Sequence, residues 1–131
     1  MSATTIKPVP TRYYRQIDAR RFVRAGAALL DRVNPDWWKP NTLRLDVLAM
    51  SSCYHCVLGQ LYGEYFYGVG KLSAREGVKQ GHYVGDIGSQ MHHWSIRHGF
   101  QVPDAKGPNG QRYARLAQAW VRLITARRAG Q

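Results

Sequence analysis

The chain of 131 residues has the usual length of one domain, and 44% of its residues are hydrophobic, which is enough to form one core. This composition excludes disorder throughout the chain. The formal net charge of +11 predicts attraction to polyanions such as nucleic acid or acidic protein surfaces.

The lack of targeting segments and the spacing of the cysteines favour a cytoplasmic protein. No stretch reaches the roughly 18 apolar residues of a membrane span, and the N-terminal sequence MSATTIKPVPTRYYR lacks the apolar region of a secretory signal. Cys53 and Cys56 are too close in sequence to close a useful stabilising loop. We therefore expect a cytoplasmic protein with reduced thiols and no membrane contact.

The positive charge is concentrated at the two ends of the chain. Residues 1–24 carry a net charge of +5, residues 105–131 carry +6, and the central residues are neutral. Because the termini of a domain often lie close together, the two basic segments are expected to form one face.

The N-terminal region begins with a segment that lacks helical periodicity and contains Pro8 and Pro10. We predict a flexible basic arm over 1–16, a single helical domain over 17–128 and a short tail over 129–131. The first helix is predicted from about Asp18 to Val33, because apolar residues recur there every three or four positions. Pro35 then prevents its continuation.

The central helices are less sharply defined by the sequence. Residues 43–50 fit a short helix or an extended connector. A second helix is predicted over 53–67, with Ser51 or Ser52 as its N-cap. Gly59 and Gly63, four residues apart, suggest close packing against another backbone.

The remaining segments complete an all-α prediction. Residues 68–90 are rich in glycine and are predicted to be irregular, with one short helix from Ser73. A helix from Asp86 or Ser89 to His98 and a last helix from Asn109 are expected. The chain is therefore predicted to form a small irregular bundle of about four helices with a Gly-rich irregular segment.

The sharpest candidate for a metal site combines two cysteines with two histidines. Cys53, Cys56, His93 and His98 have ligand types that complete a tetrahedral zinc site. The separation between the cysteine pair and the histidine pair is longer than in a compact zinc finger, and free cysteines are commonly buried as small core residues. Packing is therefore favoured over zinc, and no cofactor is predicted.

Enzymatic motifs are not evident. The CYHC sequence lacks the preceding strand of thioredoxin-like proteins, and the Gly-rich stretch lacks the GK[ST] ending of a phosphate-binding loop. The sequence therefore favours a non-enzymatic protein.

The basic ends provide the main candidate binding residues. Tyr13, Tyr14 and Trp120 lie in or beside these segments and are candidates for stacking on bases. A solvated surface is the alternative explanation for such charges. The predicted nucleic-acid-binding residues are Arg12, Arg15, Arg20, Arg24, Arg115, Arg122, Arg127 and Arg128.

An aromatic surface offers an alternative partner. Trp37, Trp38 and Tyr67 are candidates for docking on a partner protein without contact to nucleic acid. The leading prediction remains a protein that binds nucleic acid or a nucleoprotein complex.

Four segments also resemble a known group of proteins. AALLDRVNPDWW, CVLGQLYGEYFYG, HGF and YARLAQAW are similar to sequences in small uncharacterised proteins of actinobacterial phages, especially mycobacteriophages. The resemblance covers residues 25–70 and 96–124 and depends mainly on CVLGQLYG. It implies a phage accessory protein that acts in the cytoplasm of a bacterial host, and it supplies no catalytic residues. Members of the group are less basic, so the Arg-rich ends depart from its pattern.

Overall fold

The computed structural model describes residues 5–10, 14–81, 90–103 and 110–130. The described helices are α1 (Gln16–Val33), α2 (Val57–Tyr62), α3 (Tyr65–Arg75), α4 (Gln90–Arg97) and α5 (Gly110–Arg128). The predicted all-α class is confirmed. None of these helices has the length and apolar character needed to cross a membrane.

Helix α1 follows the predicted pattern closely. The backbone N–H of Arg15 donates to Asp18 Oδ2 at 2.8 Å, which satisfies one of the free donors at the helix start. Phe22 and Leu30 are buried, as the apolar periodicity predicts. The helix ends at Val33, with the N–H of Asn34 donating to Leu30 O at 2.7 Å.

The helix predicted over 53–67 is divided in two. Cys56 replaces the predicted serines as N-cap of α2, with its Sγ accepting from the Gly59 N–H at 3.2 Å. Gly63 then ends α2 in the left-handed region, at φ 91°, which glycine adopts at little cost. Glu64 starts α3 by accepting from two backbone N–H groups. The prediction of one continuous helix was therefore wrong.

The two central glycines have different roles. A Cβ on Gly59 would lie 2.4 Å from the carbonyl oxygen of Cys53, whereas a Cβ on Gly63 would meet nothing within 4 Å. The predicted close packing is thus confirmed at Gly59 alone. It is made against the turn before α2 and not against another helix.

The Gly-rich region is more helical than predicted at its start. Helix α3 continues to Arg75, so the short helix expected from Ser73 is not formed. Helix α4 begins at Gln90, while the predicted starts at Asp86 and Ser89 fall outside the described residues. Helix α4 ends at Arg97, one residue before the predicted end at His98, and Gly99 follows with φ 72°.

Helices α1 and α5 pack side by side and run parallel. Gln16 and Gln118 approach each other near the start of α1, and Asp31 meets Arg127 near its end. Between these contacts, a Cβ on Gly26 would lie 3.2 Å from the Trp120 ring. This pairing brings the two basic ends of the sequence together.

Trp120 lies at the centre of the core and is fully buried. Its ring stacks on Phe100 at a centroid distance of 5.8 Å and meets Trp37 edge to face at 5.6 Å. Its indole N–H donates to Gly99 O at 2.6 Å. Trp120 therefore connects α5 to the turn after α4 and to the segment after α1.

The N-terminal segment contacts α4 over its described residues. The N–H of Val9 donates to His93 Nδ1 at 3.2 Å, and the Val9 side chain is buried in the core. Arg97 donates to the carbonyl oxygens of Lys7 and Pro8 at 2.7 and 3.1 Å. Residues 5–10 therefore lie against α4. The burial of Val9 could not be predicted from the sequence, because a single apolar residue between two prolines has no periodicity.

We expect Gly26→Ala to destabilise the protein by at least about 2 kcal/mol, because overpacking a core against backbone is costly. A Cβ at this position would lie 2.0 Å from the His98 carbonyl oxygen. Urea unfolding of the variant measures the effect. Gly110→Ala is the matched control, since a Cβ there meets nothing within 4 Å. Equal stability of the two variants would contradict the close approach of α1 to the end of α4.

Candidate nucleic-acid interface

The two basic segments form one surface because α1 and α5 are adjacent. Residues 15–33 carry five arginines and two aspartates, and residues 110–130 carry five arginines and no acidic residue. The net charge of this helix pair is thus +8. Most of the excess charge of the chain is therefore concentrated on two neighbouring helices.

Three of the predicted arginines form what we call the arginine face, namely Arg20, Arg24 and Arg122. All three are exposed, and none makes a hydrogen bond or ion pair with the described part of the chain. Arg20 and Arg122 line one open depression of about 660 Å³ between α1 and α5, together with Arg115. Arg24 lies one helical turn beyond Arg20 on α1.

Three other predicted arginines hold the fold together. Arg127 forms two hydrogen bonds with Asp31, at 2.7 and 3.2 Å. Arg128 donates to the carbonyl oxygens of Trp38 and Leu43.

Arg115 donates to Tyr14 O at 2.9 Å. Carbonyl oxygens carry no net charge, so Arg115 and Arg128 still contribute to the positive potential. Of these three arginines, Arg127 alone is neutralised by a carboxylate of the described residues. All three side chains are therefore fixed, with fewer donors left for a ligand.

The last two predicted arginines are Arg12 and Arg15. Arg12 lies outside the described residues. Arg15 is largely exposed and pairs with Asp18 at 3.2 Å. Burial acts to raise the pKa of Asp18, but hydrogen bonds from Arg15 and the charges of Arg15 and Arg21 outweigh it, so this pKa lies below its ordinary value. Asp18 is therefore ionised at neutral pH and partly cancels the charge of Arg15.

Two of the three predicted base-stacking residues are buried. Trp120 is fully buried and Tyr14 is 3% exposed, while Tyr13 lies outside the described residues. Both buried rings belong to the core that joins α1 and α5. Neither of these two rings can therefore stack on a base, and the arginine face offers guanidinium groups, which suit phosphates.

The cysteines of the predicted zinc set serve the start of α2. Burial raises the pKa of Cys56 to about 11. Burial and the charge of Glu64 also raise the pKa of Cys53. Both thiols are thus protonated at neutral pH in the metal-free chain, whereas redox nucleophiles are thiolates. Cys56 is a packed N-cap, as the alternative explanation predicted.

The histidines of that set are engaged elsewhere. His93 accepts from the Val9 N–H. His98 lies 2.7 Å from Trp94 O through Nδ1 and 3.3 Å from Glu76 Oε1 through Nε2. Within the described ranges, no three residues of the metal-ligating types lie close enough to share an ion. The structure does not bring Cys53, Cys56, His93 and His98 into one site.

The three aromatic residues predicted to dock on a protein differ in their exposure. Trp37 is fully buried and donates its indole N–H to Asp31 at 2.8 Å. Trp38 is half-buried. Tyr67 is exposed, together with Tyr54 and Phe66, which the sequence analysis did not select for this role. Phe66 and Tyr67 lie on α3, after the break at Gly63, whereas Tyr54 lies in the turn before α2.

Two further arginines were missed by sequence reasoning. Arg21 and Arg97 line a small cleft together with Arg15. Arg97 lies in the neutral central region of the sequence, so the distribution of charge along the chain did not indicate it as a binding residue. Only the contact of the N-terminal segment with α4 brings it to the basic surface.

Comparison of the chain with protein-family profiles, with characterised proteins and with solved structures gives no match.

Asp31 is expected to make folding stability depend on pH. Burial acts to raise its pKa, but hydrogen bonds from Arg127 and Trp37 and the charge of Arg127 bring it below the ordinary value. A carboxyl group with a lowered pKa in the folded state stabilises the protein above about pH 4, and this contribution is lost as the pH falls further.

We expect Asp31→Asn to lower the free energy of unfolding by about 1 kcal/mol at pH 7 and to reduce the loss of stability between pH 5 and pH 3. Urea unfolding at the three pH values measures both effects. Asp36→Asn is the control, because Asp36 forms an exposed pair with Lys39 at 3.0 Å. If Asp31→Asn and the native chain lose stability in parallel, the proposed role of the Asp31–Arg127 pair is wrong.

Proposed function

We propose that this protein is a non-enzymatic module that binds nucleic acid, alone or within a nucleoprotein complex, through the arginine face. The observation that supports the proposal is the parallel packing of α1 and α5, which leaves Arg20, Arg24 and Arg122 exposed and without carboxylate partners in the described structure. Guanidinium groups bind phosphate through paired, charge-assisted hydrogen bonds.

The proposed binding is directed to the sugar-phosphate backbone. Backbone contacts set affinity and carry no direct sequence information. Tyr14 and Trp120, two of the residues predicted to stack on bases, are buried and cannot contact bases. We therefore expect similar affinity for unrelated sequences and a steep dependence on salt.

The test replaces all three residues, as Arg20→Gln, Arg24→Gln and Arg122→Gln in one variant. We expect at least about tenfold weaker binding to a mixed-sequence duplex in low salt, and a salt slope that falls by roughly 0.9 for each phosphate that the variant no longer neutralises. Fluorescence anisotropy at several salt concentrations, with duplex and single-stranded oligonucleotides, measures affinity and slope.

The control removes the same charge elsewhere, as Lys71→Gln, Arg75→Gln and Lys79→Gln. These three residues are exposed and lie on or after α3, which packs against neither α1 nor α5 among the described elements. The control is expected to change affinity only through the smaller net charge. Equal losses of affinity in both variants would show that net charge, and not the arginine face, determines binding. No binding by the native protein in low salt would overturn the proposal.

A second candidate function is docking on a protein through an aromatic surface. It is favoured by the exposure of Tyr54, Phe66 and Tyr67, at 65%, 46% and 57%. The Tyr65 N–H donates to Cys53 O at 2.8 Å, so the segments bearing these rings are adjacent. Aromatic residues are enriched in protein interfaces.

We expect Tyr54→Ser, Phe66→Ser and Tyr67→Ser together to abolish capture of a bacterial partner protein that persists after nuclease treatment and in high salt. Affinity purification with mass spectrometry measures capture. A variant with Ile17→Ser, Val47→Ser and Val121→Ser removes exposed apolar side chains elsewhere and is expected to retain it. Loss of every partner from the native protein under these conditions would exclude this function.

The sequence resemblance suggests the setting of either function. A phage accessory protein acting in the bacterial cytoplasm would meet host nucleic acid and host nucleoprotein complexes. We propose this setting as the context for the binding experiments.

A further inference from the structure

A small cleft lies where the N-terminal segment, α1 and the end of α4 meet. Its volume is about 200 Å³, and its charged lining residues are Arg15, Asp18, Arg21 and Arg97. Val9 and Pro10 form the wall contributed by the N-terminal segment. Three guanidinium groups and one carboxylate therefore line the same cleft.

The single carboxylate does not neutralise this cluster. Asp18 lies 3.2 Å from Arg15 Nε and 3.6 Å from Arg21 Nη2, and the longer distance is that of a loose ion pair. Arg97 makes no ion pair with any described carboxylate. Its hydrogen bonds are to the uncharged carbonyl oxygens of Lys7 and Pro8. The lining residues therefore keep a net positive charge.

Two of these cations, Arg21 and Arg97, line the same cleft and repel each other electrostatically. Burial and the positive charge of Arg21 both lower the pKa of Arg97. Like charges held near each other are unfavourable unless an anion lies between them. The fold maintains this arrangement because the carbonyl oxygens of the N-terminal segment fix the Arg97 guanidinium.

The orientation of Arg97 leaves part of its guanidinium for a ligand. Nε and Nη2 are used by the two carbonyl oxygens, and Nη1 makes no hydrogen bond with the described residues. Because the side chain is already fixed, a ligand does not need to order it, which reduces the entropic cost of binding. Arg21 is more exposed and can approach the same ligand from α1.

We propose that this cleft binds a phosphate group between Arg21 and Arg97. A phosphate carries several acceptor oxygens, so it can accept from both guanidinium groups at the same time, and its charge complements the net charge of the lining. Arg15 adds positive charge at the edge of the site. The lining of the cleft includes none of Arg20, Arg24 and Arg122. The proposal that the cleft binds phosphate can therefore be right or wrong independently of the proposal for the arginine face.

The first experiment measures thermal unfolding of the full chain in increasing inorganic phosphate, against sodium chloride of equal ionic strength. A ligand that binds only the folded state raises the melting temperature, by roughly 5 °C at ten times its dissociation constant for a chain of this size. We expect a saturable rise in the native protein and at least a halving of that rise in Arg21→Gln and in Arg97→Gln.

Arg32→Gln is the matched control for Arg21→Gln. Both side chains lie on α1, both are 63% exposed, and both are 3.6 Å from a carboxylate oxygen, but Arg32 does not line the cleft. Arg97→Gln also removes the hydrogen bonds to Lys7 and Pro8, whereas Arg21→Gln leaves them intact. The result therefore does not depend on whether Arg97→Gln folds.

A second measurement identifies the source of the phosphate. Oligonucleotides with and without a 5′-phosphate are titrated into the native protein, Arg21→Gln and Arg32→Gln. A preference for the 5′-phosphate that disappears in Arg21→Gln supports a terminal phosphate, and an equal decrease in affinity for both oligonucleotides in Arg21→Gln alone supports a backbone phosphate. If phosphate stabilises no more than chloride and Arg21→Gln binds both oligonucleotides like Arg32→Gln, the proposal is overturned.

Discussion

The burial of Trp120 is the constraint on which the rest of the structure depends. Its ring contacts Phe100 and Trp37, and its indole N–H finds an acceptor in Gly99 O. An indole buried without such a partner would lose the hydrogen bond it makes to water. Because the acceptor lies in the turn after α4, α5 is held against both that turn and α1.

Packing around this ring determines where the charges lie. The close approach at Gly26 lets α1 meet the end of α4 and the Trp120 ring with no intervening side chain. The parallel direction of α1 and α5 then places the N-terminal and C-terminal arginines on one surface. Concentrated positive charge costs folding energy through self-repulsion. On these helices Asp31 pairs with Arg127, Asp18 with Arg15 and Arg21, and Glu76 with Arg32. Arg20, Arg24 and Arg122 have no carboxylate partner among the described residues.

Sequence reasoning predicted the long helices but could not assign the role of each arginine. The bounds of α1 and the buried face of α5 follow from periodicity, which is local in sequence. The partner of Arg127 is Asp31, 96 residues away, and no local pattern indicates such a contact. Gly63 was interpreted as a packing residue because its left-handed φ depends on the start of α3 at Glu64. Periodicity extended across this break predicted one helix over 53–67, where the structure has α2 and α3.

The small cleft shows why a neutral sequence segment can contribute to a charged surface. Arg97 belongs to α4, whose neighbouring residues are almost all buried, and its guanidinium is fixed only because residues 7 and 8 present their carbonyl oxygens to it. Those carbonyl oxygens are available because proline has no N–H and the segment forms no helix of its own. An arrangement of this kind satisfies two backbone acceptors while keeping the positive charge intact. The same contact that holds the N-terminal segment on α4 therefore also fixes a cation in the cleft that Arg21 lines.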